Sequence, residues 1–444
     1  MGRLFGTDGV RGVANRDLTP DLALALGRAA GLVLRDEGTA HEVIVGRDTR
    51  LSGPMLQAAL TAGLCSAGID VRHLGIVPTP AVAFVTVDES AMAGAMVSAS
   101  HNPVPDNGIK FFSEEGSKLP GDIEDAIEKA LSVEPVSLPE AADVGTASHF
   151  PEGVDRYRRH LLDSIDGGLD GSKVVLDCAF GAAWELAPAA FRDAGTEVIA
   201  MHDEPDGARI NVECGSTSLS LLSRRVVEEG ADLGFAFDGD ADRVLACDET
   251  GAAVDGDRII ALSALRLHDM GALKNDVVVG TVMANLGFRR ALEERGIEVI
   301  QAPVGDKFVV EAMIESGAML GGEQSGHIVF AEHGLTGDGI LAALQVARAV
   351  ASSQERLSAL AHVYETVPQV LINVSGVDRE RLADSARLWA KVAAIEERLG
   401  DEGRVLLRPS GTEPIVRVMV EALDPEVAER VARELADDVK AHLS

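Results

Sequence analysis

Short apolar runs alternate with helical patterns along most of the chain, and one stretch shows this alternation clearly. Residues 42–46 (EVIVG) and 69–74 (IDVRHL) each have the composition of a buried strand. Between them a helix is predicted from about Gly53, with Ser52 as its N-cap and Pro54 in its first turn. A strand, a helix and a second strand in this order predict parallel pairing with a right-handed crossover. This unit therefore constrains the chain to an α/β fold.

The same alternation recurs twice further along the chain. Residues 173–178 predict a strand that is followed by a helix over about 181–193, although Pro188 weakens the continuity of that helix. Residues 276–281 predict another strand, and helical patterns follow near 284–294 and 307–316. Three α/β blocks of similar size are therefore expected.

The C-terminal part of the chain follows a different order. A strand is predicted at 369–374, a helix at 379–399, a hairpin at 404–422 and a final helix at 425–443. This order favours a separate small α+β domain. Four domains are expected, with bounds at 1–150, 151–253, 254–366 and 367–444.

Composition narrows the class of partner. The chain has 444 residues, is 46% hydrophobic but only 4% aromatic, and carries a formal charge of −31. Such a charge disfavours nucleic acid and anionic membranes as partners, and it requires any phosphate site to be locally basic. The four cysteines form no CxxC pair, and neither a signal peptide nor an apolar run of about 18 residues is evident. A cytoplasmic location is expected.

Three aspartates stand two residues apart in the segment 237–243 (FDGDADR). Carboxylates this close repel one another unless a cation neutralises them, and all-oxygen ligands suit Mg²⁺ or Ca²⁺. Asp238, Asp240 and Asp242 fit positions of a calcium-binding EF-hand loop, but that loop needs glycine where Arg243 stands, and it needs flanking helices. Both flanks have strand patterns, so a Mg²⁺ site at a strand end is favoured over an EF-hand. A solvated acidic loop is the remaining alternative.

A small polar loop, 98–103 (SASHNP), follows the apolar run 91–97. In open α/β sheets chemistry collects at such strand ends, where a serine can carry a phosphate if it is activated. Spacing alone does not distinguish Ser98 from Ser100. His101 is a candidate base, but adjacent residues point in different directions on regular backbone, which argues against a simple Ser–His dyad. An ordinary turn is the alternative.

A second loop, 321–327 (GGEQSGH), offers groups that could recognise sugar hydroxyls. Its carboxylate, hydroxyl and imidazole come from Glu323, Ser325 and His327. A polar turn with a solvated histidine explains the same residues equally well.

The basic site that the net charge requires is found at 408–414 (RPSGTEP), with a further arginine close after it. Backbone N–H groups, hydroxyls and guanidinium groups can all bind phosphate oxygens. A structured β-turn is the alternative. The residues concerned are Arg408, Ser410, Gly411, Thr412 and Arg417. Arg11, in the glycine-rich opening 5–12, could also reach a phosphate.

Taken together, these segments resemble the α-D-phosphohexomutase superfamily across essentially the whole chain. SASHNP, DGDADR, GEQSGH and RPSGTEP occur in the family's order, one per domain. The opening FGTDGVRG and the EQSGH form of the third motif are similar to the branch that acts on amino sugars. The resemblance implies three α/β domains with mixed sheets plus a smaller C-terminal α+β domain around a central active-site cleft.

The resemblance also implies roles for the motif residues. It makes Ser100, directly before His-Asn-Pro, the phosphoserine. It implies Mg²⁺ bound by the three aspartates and an oxygen of the phosphorylated serine, sugar binding by the EQSGH loop, and a phosphate clamp formed by the RPSGTEP segment and Arg417. Lys110 matches a lysine proposed for proton transfer or charge stabilisation. Arg11, Arg243 and Lys307 match further active-site cations.

The activity implied is that of an isomerase that interconverts glucosamine 6-phosphate and glucosamine 1-phosphate. A phosphoserine enzyme and a glucosamine 1,6-bisphosphate intermediate would carry the reaction, and the product would feed UDP-N-acetylglucosamine and peptidoglycan precursors. A phosphomannomutase/phosphoglucomutase is the alternative, against which Gln324 and the opening motif argue. A non-catalytic sugar-phosphate-binding relative is disfavoured because every motif residue is present. Monomer and homodimer both remain open.

Overall fold

A computed structural model describes residues 4–6, 8–35, 41–133, 137–410 and 415–444. The chain divides into two compact units. The first contains Met1–Thr281 and Ile297–His362, and the second contains Val282–Gly296 and Val363–Ser444. Among the described residues, none of the helices combines the length and the apolar composition that crossing a bilayer requires.

The first unit opens with a six-stranded mixed sheet. Its strands are β1 (Val10–Val13), β2 (Glu42–Arg47), β3 (Asp70–Ile76), β4 (Ala93–Val97), β5 (Asp106–Ser113) and β6 (Ala147–His149), in the order β1-β5-β4-β2-β3-β6. The associated helices are α1 (Pro20–Arg35), α2 (Gly53–Ser66), α3 (Thr79–Asp88), α4 (Gly121–Leu131) and α5 (Pro151–Asp163). β2 is parallel to β3, with α2 between them in the chain, so the predicted βαβ unit is confirmed.

The helices α1 and α2 pack closely because glycines face each other at their contact. A Cβ added to Gly27 would lie 2.2 Å from the carbonyl oxygen of Leu60, and one added to Gly63 would lie 2.1 Å from that of Leu24. Leu60 is fully buried in the same core as the valines of β2. This tight packing buries the apolar face of α2.

A second, five-stranded sheet follows in the same unit. Its strands are β7 (Lys173–Asp177), β8 (Glu197–Met201), β9 (Leu233–Phe237), β10 (Val244–Asp248) and β11 (Ala253–Val254), in the order β11-β10-β9-β7-β8. Its helices are α6 (Leu186–Asp193) and α7 (Ser220–Glu229). β7 and β9 are parallel neighbours, so residues that follow them meet at one edge of the sheet.

The third sheet has four strands, in the order β13-β12-β14-β15. These are β12 (Val277–Thr281), β13 (Glu298–Ala302), β14 (Leu320–Gly322) and β15 (Ile328–Phe330). Helices α8 (Gly256–Asp269), α10 (Asp306–Ser316), α11 (Gly339–Ser353) and α12 (Leu357–Leu360) belong to the first unit, whereas α9 (Leu286–Glu293) belongs to the second.

The second unit contains an antiparallel three-stranded sheet. Its strands β16 (Gln369–Ser375), β17 (Gly403–Pro409) and β18 (Ile415–Ala422) have the order β16-β18-β17, and its helices besides α9 are α13 (Ala386–Leu399) and α14 (Pro425–Leu443). The expected fold class, three α/β parts with mixed sheets and a smaller C-terminal α+β part, is confirmed. The four domain bounds given above stay predictions.

Two local predictions were wrong, each for a physical reason. The helix expected from about 181 begins at Leu186, because Ala179 and Phe180 adopt left-handed backbone; Pro188 then falls in its first turn, where no N–H is needed. The helix expected over 379–399 is split after Leu382, whose carbonyl accepts the indole N–H of Trp389 at 3.0 Å. Ser52 is the N-cap residue of α2, as predicted, but its side chain makes no capping bond, and its hydroxyl accepts from the amide of Asn107 at 2.8 Å.

Candidate active site

Ser100 lies in the loop after β4 and is 1% exposed. Its Oγ donates to Oδ2 of Asp238 at 2.5 Å and lies 3.3 Å from Nδ1 of His101. The expectation that Ser100 and His101 point apart is wrong, because Ser100 has φ of +51° and the backbone there is not regular. Ser100, His101 and the first aspartate therefore form one cluster.

The three aspartates lie in the tight turn between the antiparallel strands β9 and β10. Asp238 and Asp240 are fully buried and Asp242 is 4% exposed, so the alternative of a solvated acidic loop is wrong. The EF-hand alternative also fails, because both flanking elements are strands. One carboxylate oxygen from each residue lies within 4.8 Å of the others.

Lys110 on β5 supplies positive charge to this cluster. Its Nζ lies 2.8 Å from Oδ2 of Asp240 and 3.4 Å from Oδ2 of Asp242. Burial alone would lower the pKa of Lys110, but the two carboxylates raise it above its ordinary value, so the ammonium form is favoured.

The three carboxyl groups are not electrostatically equivalent. Burial, and then the charges of Asp242 and Asp240, raise the pKa of Asp238 well above its ordinary value. Burial also acts on Asp242, but Lys110 and His327 hold its pKa well below the ordinary range. A cluster of this kind needs further positive charge if all three groups are to be ionised.

The donor set fits a hard divalent cation. Oδ1 of Asp240 and Oδ1 of Asp242 are buried and accept no hydrogen bond within the described part of the chain. Buried carboxylate oxygens without donors are costly, and all-oxygen sites are those that Mg²⁺ prefers. Asp238, Asp240, Asp242 and the Ser100 oxygen are therefore the residues that could bind such an ion.

A second cluster of potential metal ligands differs from the first, because both oxygens of its carboxylate already take part in hydrogen bonds. Asp177, at the end of β7, lies with His202 and Cys214. Its Oδ1 accepts from the backbone N–H of Ala179 at 3.0 Å and contacts Nδ1 of His202 at 2.9 Å, and its Oδ2 accepts from the N–H of Gly215 at 2.9 Å. Burial also raises the pKa of the Cys214 thiol to about 12. The hydrogen bonds of this carboxylate already hold three turns together.

His101 is partly buried, and the positive charges of Arg243 and Arg11 act on its ring. Burial, and then the charges of Arg243 and Arg11, lower its pKa to about 4. The ring is therefore neutral at neutral pH, and it is a weaker base than an exposed histidine. Arg11, on β1, donates to the carbonyl oxygen of Ala99 at 3.2 Å and to Oδ1 of Asn102 at 3.1 Å, and it pairs with Asp8.

The EQSGH segment forms the hairpin between β14 and β15. Glu323 accepts the N–H of Gly305 at 3.0 Å and a long bond of 3.5 Å from the hydroxyl of Ser325. His327 is only 2% exposed, so the solvated-histidine alternative is wrong; its Nε2 accepts the N–H of Gly337 at 3.1 Å, and its Nδ1 lies 3.8 Å from Asp242. The structure thus connects this loop to the aspartate cluster through His327.

Several residues that contact the site were not predicted from the sequence. Thr79, the first residue of α3, donates its hydroxyl to Oδ2 of Asp240 at 2.5 Å. Lys118 lies 2.6 Å from carboxylate oxygens of both Asp8 and Asp306, next to the predicted Lys307, whose Nζ is 3.7 Å from Glu124. The position of Thr79 directly after a strand is the signal that could have found it.

Asp48 and Arg50 were also missed. They follow β2 directly and are 0% and 1% exposed. Buried charged residues at the carboxyl end of a strand in an open sheet are a signal of a site, but nothing in the sequence shows that they are buried. Their contacts are with the Ser100 loop.

The predicted phosphate clamp lies in the second unit. Arg408 on β17 is directly opposite Arg417 on β18. A guanidinium nitrogen of Arg417 lies 3.4 Å from Oγ of Ser410, whose carbonyl accepts from Arg379 at 2.6 Å. Burial, followed by the charge of Arg417, lowers the pKa of Arg408. The two other predicted members, Gly411 and Thr412, lie outside the described residues.

Comparison with protein families agrees with this architecture. Domains I, II and III (alpha/beta/alpha) and the C-terminal domain of phosphoglucomutase/phosphomannomutase match residues 2–135, 155–251, 255–367 and 371–438. The chain belongs to this family, that of the α-D-phosphohexomutases. The phosphoglucosamine mutases are the branch it resembles over its full length: it is 54% identical to the phosphoglucosamine mutase of Streptomyces griseus, with 100% of both chains covered.

Solved structures show the same fold. A phosphoglucomutase/phosphomannomutase family protein from Burkholderia thailandensis has a TM-score of 0.85 and 26% identity, with coverage of 100% of this chain and 98% of that one. The N-acetylphosphoglucosamine mutase of Aspergillus fumigatus, solved in complex with GlcNAc-6P and magnesium, has a TM-score of 0.73 at 19% identity, covering 99% and 96%. The expected superfamily is confirmed.

Proposed function

We propose that the protein is a phosphoglucosamine mutase that interconverts glucosamine 6-phosphate and glucosamine 1-phosphate through phosphorylated Ser100. The observation that carries this proposal is the contact of the Ser100 hydroxyl with Asp238, beside carboxylate oxygens that accept no bond from the described part of the chain. The full-length similarity to phosphoglucosamine mutases supports the choice of substrate. A cytoplasmic location and a role in amino-sugar supply for cell-wall precursors accompany this proposal.

In the first half of the reaction, the P–Oγ bond of phosphorylated Ser100 breaks and a bond forms to the O1 oxygen of glucosamine 6-phosphate. The proton of that hydroxyl needs an acceptor. His101 is neutral at neutral pH and its Nδ1 lies 3.3 Å from Oγ of Ser100, so we assign it this role. It passes the proton on to Oγ, which becomes a hydroxyl again as the P–Oγ bond breaks. Lys110 stays protonated, so we assign it charge stabilisation at the transferring group.

The resulting glucosamine 1,6-bisphosphate turns over within the site. Its 6-phosphoryl group then returns to Ser100 Oγ, the serine proton passes to the O6 oxygen, and glucosamine 1-phosphate leaves. Asp238, Asp240 and Asp242 would hold Mg²⁺, which when bound supplies positive charge to the phosphoryl oxygens. Arg408, Ser410, Gly411, Thr412 and Arg417 are proposed to bind the phosphate that is not transferred, because both ends of the sugar present the same group.

The experiment that tests this proposal compares three substrates. With Mg²⁺ and a catalytic amount of bisphosphate, we expect a higher kcat/KM for glucosamine 6-phosphate than for glucose 6-phosphate or mannose 6-phosphate. The Ser100→Ala variant is the negative control. A preference for glucose or mannose 6-phosphate would replace this proposal by a phosphoglucomutase/phosphomannomutase function, and turnover of none would reject it.

Specificity at C2 is proposed to depend on Glu323. Its carboxylate is 8% exposed and is oriented by the N–H of Gly305, so it can pair with a protonated 2-amino group. A charge-assisted bond of this kind contributes about 1.5–3 kcal/mol, or roughly tenfold to a hundredfold in preference. We expect Glu323→Gln to lose that factor in kcat/KM on glucosamine 6-phosphate while changing kcat/KM on glucose 6-phosphate little.

The control is Glu315→Gln, which changes an exposed carboxylate on α10 and should affect neither substrate. Equal losses on both sugars with Glu323→Gln would show that Glu323 binds the sugar hydroxyls instead. The mutase assignment would survive that result.

A further inference from the structure

A buried group of three side chains, Asp48, Arg50 and Ser98, binds the backbone of Ser100. We call this group the cradle. All three are at most 1% exposed. Asp48 and Arg50 come from the connection between β2 and α2, and Ser98 follows β4, the strand that pairs with β2. The cradle does not include the aspartate cluster, and the mechanism above does not use it.

Every N–H group of the Arg50 guanidinium donates a hydrogen bond, either to Asp48 or to the Ser100 loop. Nε donates to Oδ2 of Asp48 at 3.0 Å. Nη1 donates to the carbonyl oxygens of Pro103 at 2.7 Å and Asp106 at 2.9 Å. Nη2 donates to those of Ser100 and Asn102, both at 2.8 Å. The planar fork of arginine has five donors and can serve such a set, whereas the ammonium of lysine has three donors at one point.

The other side of the cradle holds the backbone N–H of Ser100. This N–H donates to Oγ of Ser98 at 2.9 Å, and Oγ of Ser98 donates in turn to Oδ2 of Asp48 at 2.7 Å. Both the N–H and the carbonyl of Ser100 are therefore bound to the Asp48–Arg50 pair, directly or through one hydroxyl. These bonds lie on both sides of the Ser100 backbone, whose φ is +51°, a value that non-glycine residues rarely adopt.

We propose that Arg50, acting with Asp48 and Ser98, is a positioning residue of the mutase reaction. It imposes the left-handed backbone at Ser100, and this backbone directs Oγ toward Asp238 and His101. The inference rests on the proposed function for its kinetic consequence, because phosphoryl transfer depends on the placement of the reacting oxygen more than on covalent chemistry.

The first test is Arg50→Lys, with Arg47→Lys as the matched control. Arg47 is three residues earlier, and its Nη1 donates to the backbone carbonyl of Asp48 at 3.1 Å, a single bond that lysine can replace. Intact mass gives the fraction of molecules that carry a phosphate, and kcat is expressed per phosphorylated molecule. We expect Arg50→Lys to lower kcat by roughly a hundredfold, the size of effect that an ångström of misplacement produces, with KM changed by less than about threefold.

A purely structural role would lower the yield of folded protein but not kcat per phosphorylated molecule, so an unchanged kcat, or a change confined to KM, would overturn the proposal. Ser98→Ala serves as the second variant if Arg50→Lys does not fold, because it deletes only one hydroxyl. We expect it to lower kcat by a smaller factor than Arg50→Lys, again with little change in KM. A wild-type kcat for Ser98→Ala would also overturn the proposal.

Hydrogen exchange separates a failure of this inference from a failure of the proposed function. If the wild-type protein turns over none of the hexose phosphates, the proposed function is wrong, but the Ser100 N–H can still be followed. Its exchange should be faster in Ser98→Ala than in wild type, while exchange in β5 is unchanged. Equal exchange at Ser100 in both proteins would overturn the cradle without reference to catalysis.

Discussion

Two carboxylate clusters lie at the same edge of the five-stranded sheet and differ in how their oxygens are used. Asp177 ends β7, and Asp238 follows β9, the parallel neighbour of β7. The Asp177 oxygens already accept backbone N–H groups and contact His202. In the other cluster, Oδ1 of Asp240 and Oδ1 of Asp242 accept no bond from the described residues. Both clusters bring ligand atoms close together, but only the aspartate turn has carboxylate oxygens that accept no bond from the described residues.

The difference shows that proximity of ligand atoms is weak evidence for a metal site. A carboxylate saturated by N–H groups would have to give up those bonds before it could bind an ion, which costs most of the gain. Two oxygens of the aspartate turn, Oδ1 of Asp240 and Oδ1 of Asp242, accept no bond from the described residues and would therefore lose none. We therefore call the aspartate turn the open cluster and the Asp177 group the closed cluster.

Removing the hydroxyl that faces the open cluster should have the largest effect. We expect Ser100→Ala to lose mutase activity by on the order of a thousandfold or more, even with bisphosphate supplied, because the phosphate carrier is gone. Thermal unfolding should be nearly unchanged. Ser223→Ala, which changes a serine near Cys247 in the same part of the chain, is the control and should keep its activity. Substantial turnover by Ser100→Ala would remove the open cluster from the chemistry.

Replacing one carboxylate of the open cluster by a neutral amide should weaken Mg²⁺ binding directly. Asp240→Asn removes one of the three anionic ligands, and we expect the Mg²⁺ affinity, measured by calorimetry, to fall by roughly tenfold to a hundredfold. Ca²⁺ should support activity poorly, because its coordination is looser. Asp177→Asn is the matched control and should bind Mg²⁺ as wild type does. A metal affinity that fell only in Asp177→Asn would reverse the comparison.

The same substitution in the closed cluster should act on stability. Asp177→Asn places an amide N–H₂ where a carboxylate oxygen accepts N–H groups, so at least one donor loses its partner. We expect the free energy of unfolding, measured with urea, to fall by about 1–3 kcal/mol. The specific activity of the folded fraction should stay near the wild-type value. A loss of activity without a loss of stability would mean that the closed cluster takes part in catalysis.

The smallest expected effect is on the way the free energy of unfolding depends on pH. The hydrogen bond with Asp177 raises the pKa of His202, against the effects of burial and of Arg209, while Asp203 adds to the rise. The charged pair therefore stabilises the fold fully below the ordinary histidine pKa of 6.5, and this contribution is lost as the pH rises through the raised pKa.

We expect His202→Gln to flatten the dependence of unfolding free energy on pH between about pH 5 and 8. The control is His268→Gln, because the His268–Asp276 pair is far more exposed and contributes little. A wild-type pH profile in His202→Gln would show that the closed cluster is not held by charge.

Sequence reasoning located the open cluster because its evidence is local. The strands β9 and β10 follow from short apolar runs, and the aspartates stand in the turn that joins them. The closed cluster was not anticipated, since its members are up to 37 positions apart and come together only through a chain of left-handed residues such as Ala179 and His202. An alanine such as Ala179 is not a residue type that favours left-handed backbone, so the sequence does not mark this position.

The supports of the site were missed for a related reason. Arg50 binds mostly backbone carbonyl groups, which every residue has, so no residue type marks its partners. Thr79 and Asp240 are 161 positions apart. The Ser–His contact does not follow from the sequence because adjacent residues point apart only on regular backbone, and the backbone at Ser100 is left-handed.

The antiparallel pair of Arg408 and Arg417 has a consequence for the second unit. Like charges placed directly opposite on neighbouring strands repel, at a cost of about 0.2–1 kcal/mol. An anion bound beside both guanidinium groups would reduce this repulsion, which would add to its binding free energy. By linkage, whatever binds the folded form alone also stabilises it. A substrate phosphate bound by this hairpin would then also raise the free energy of unfolding of the second unit.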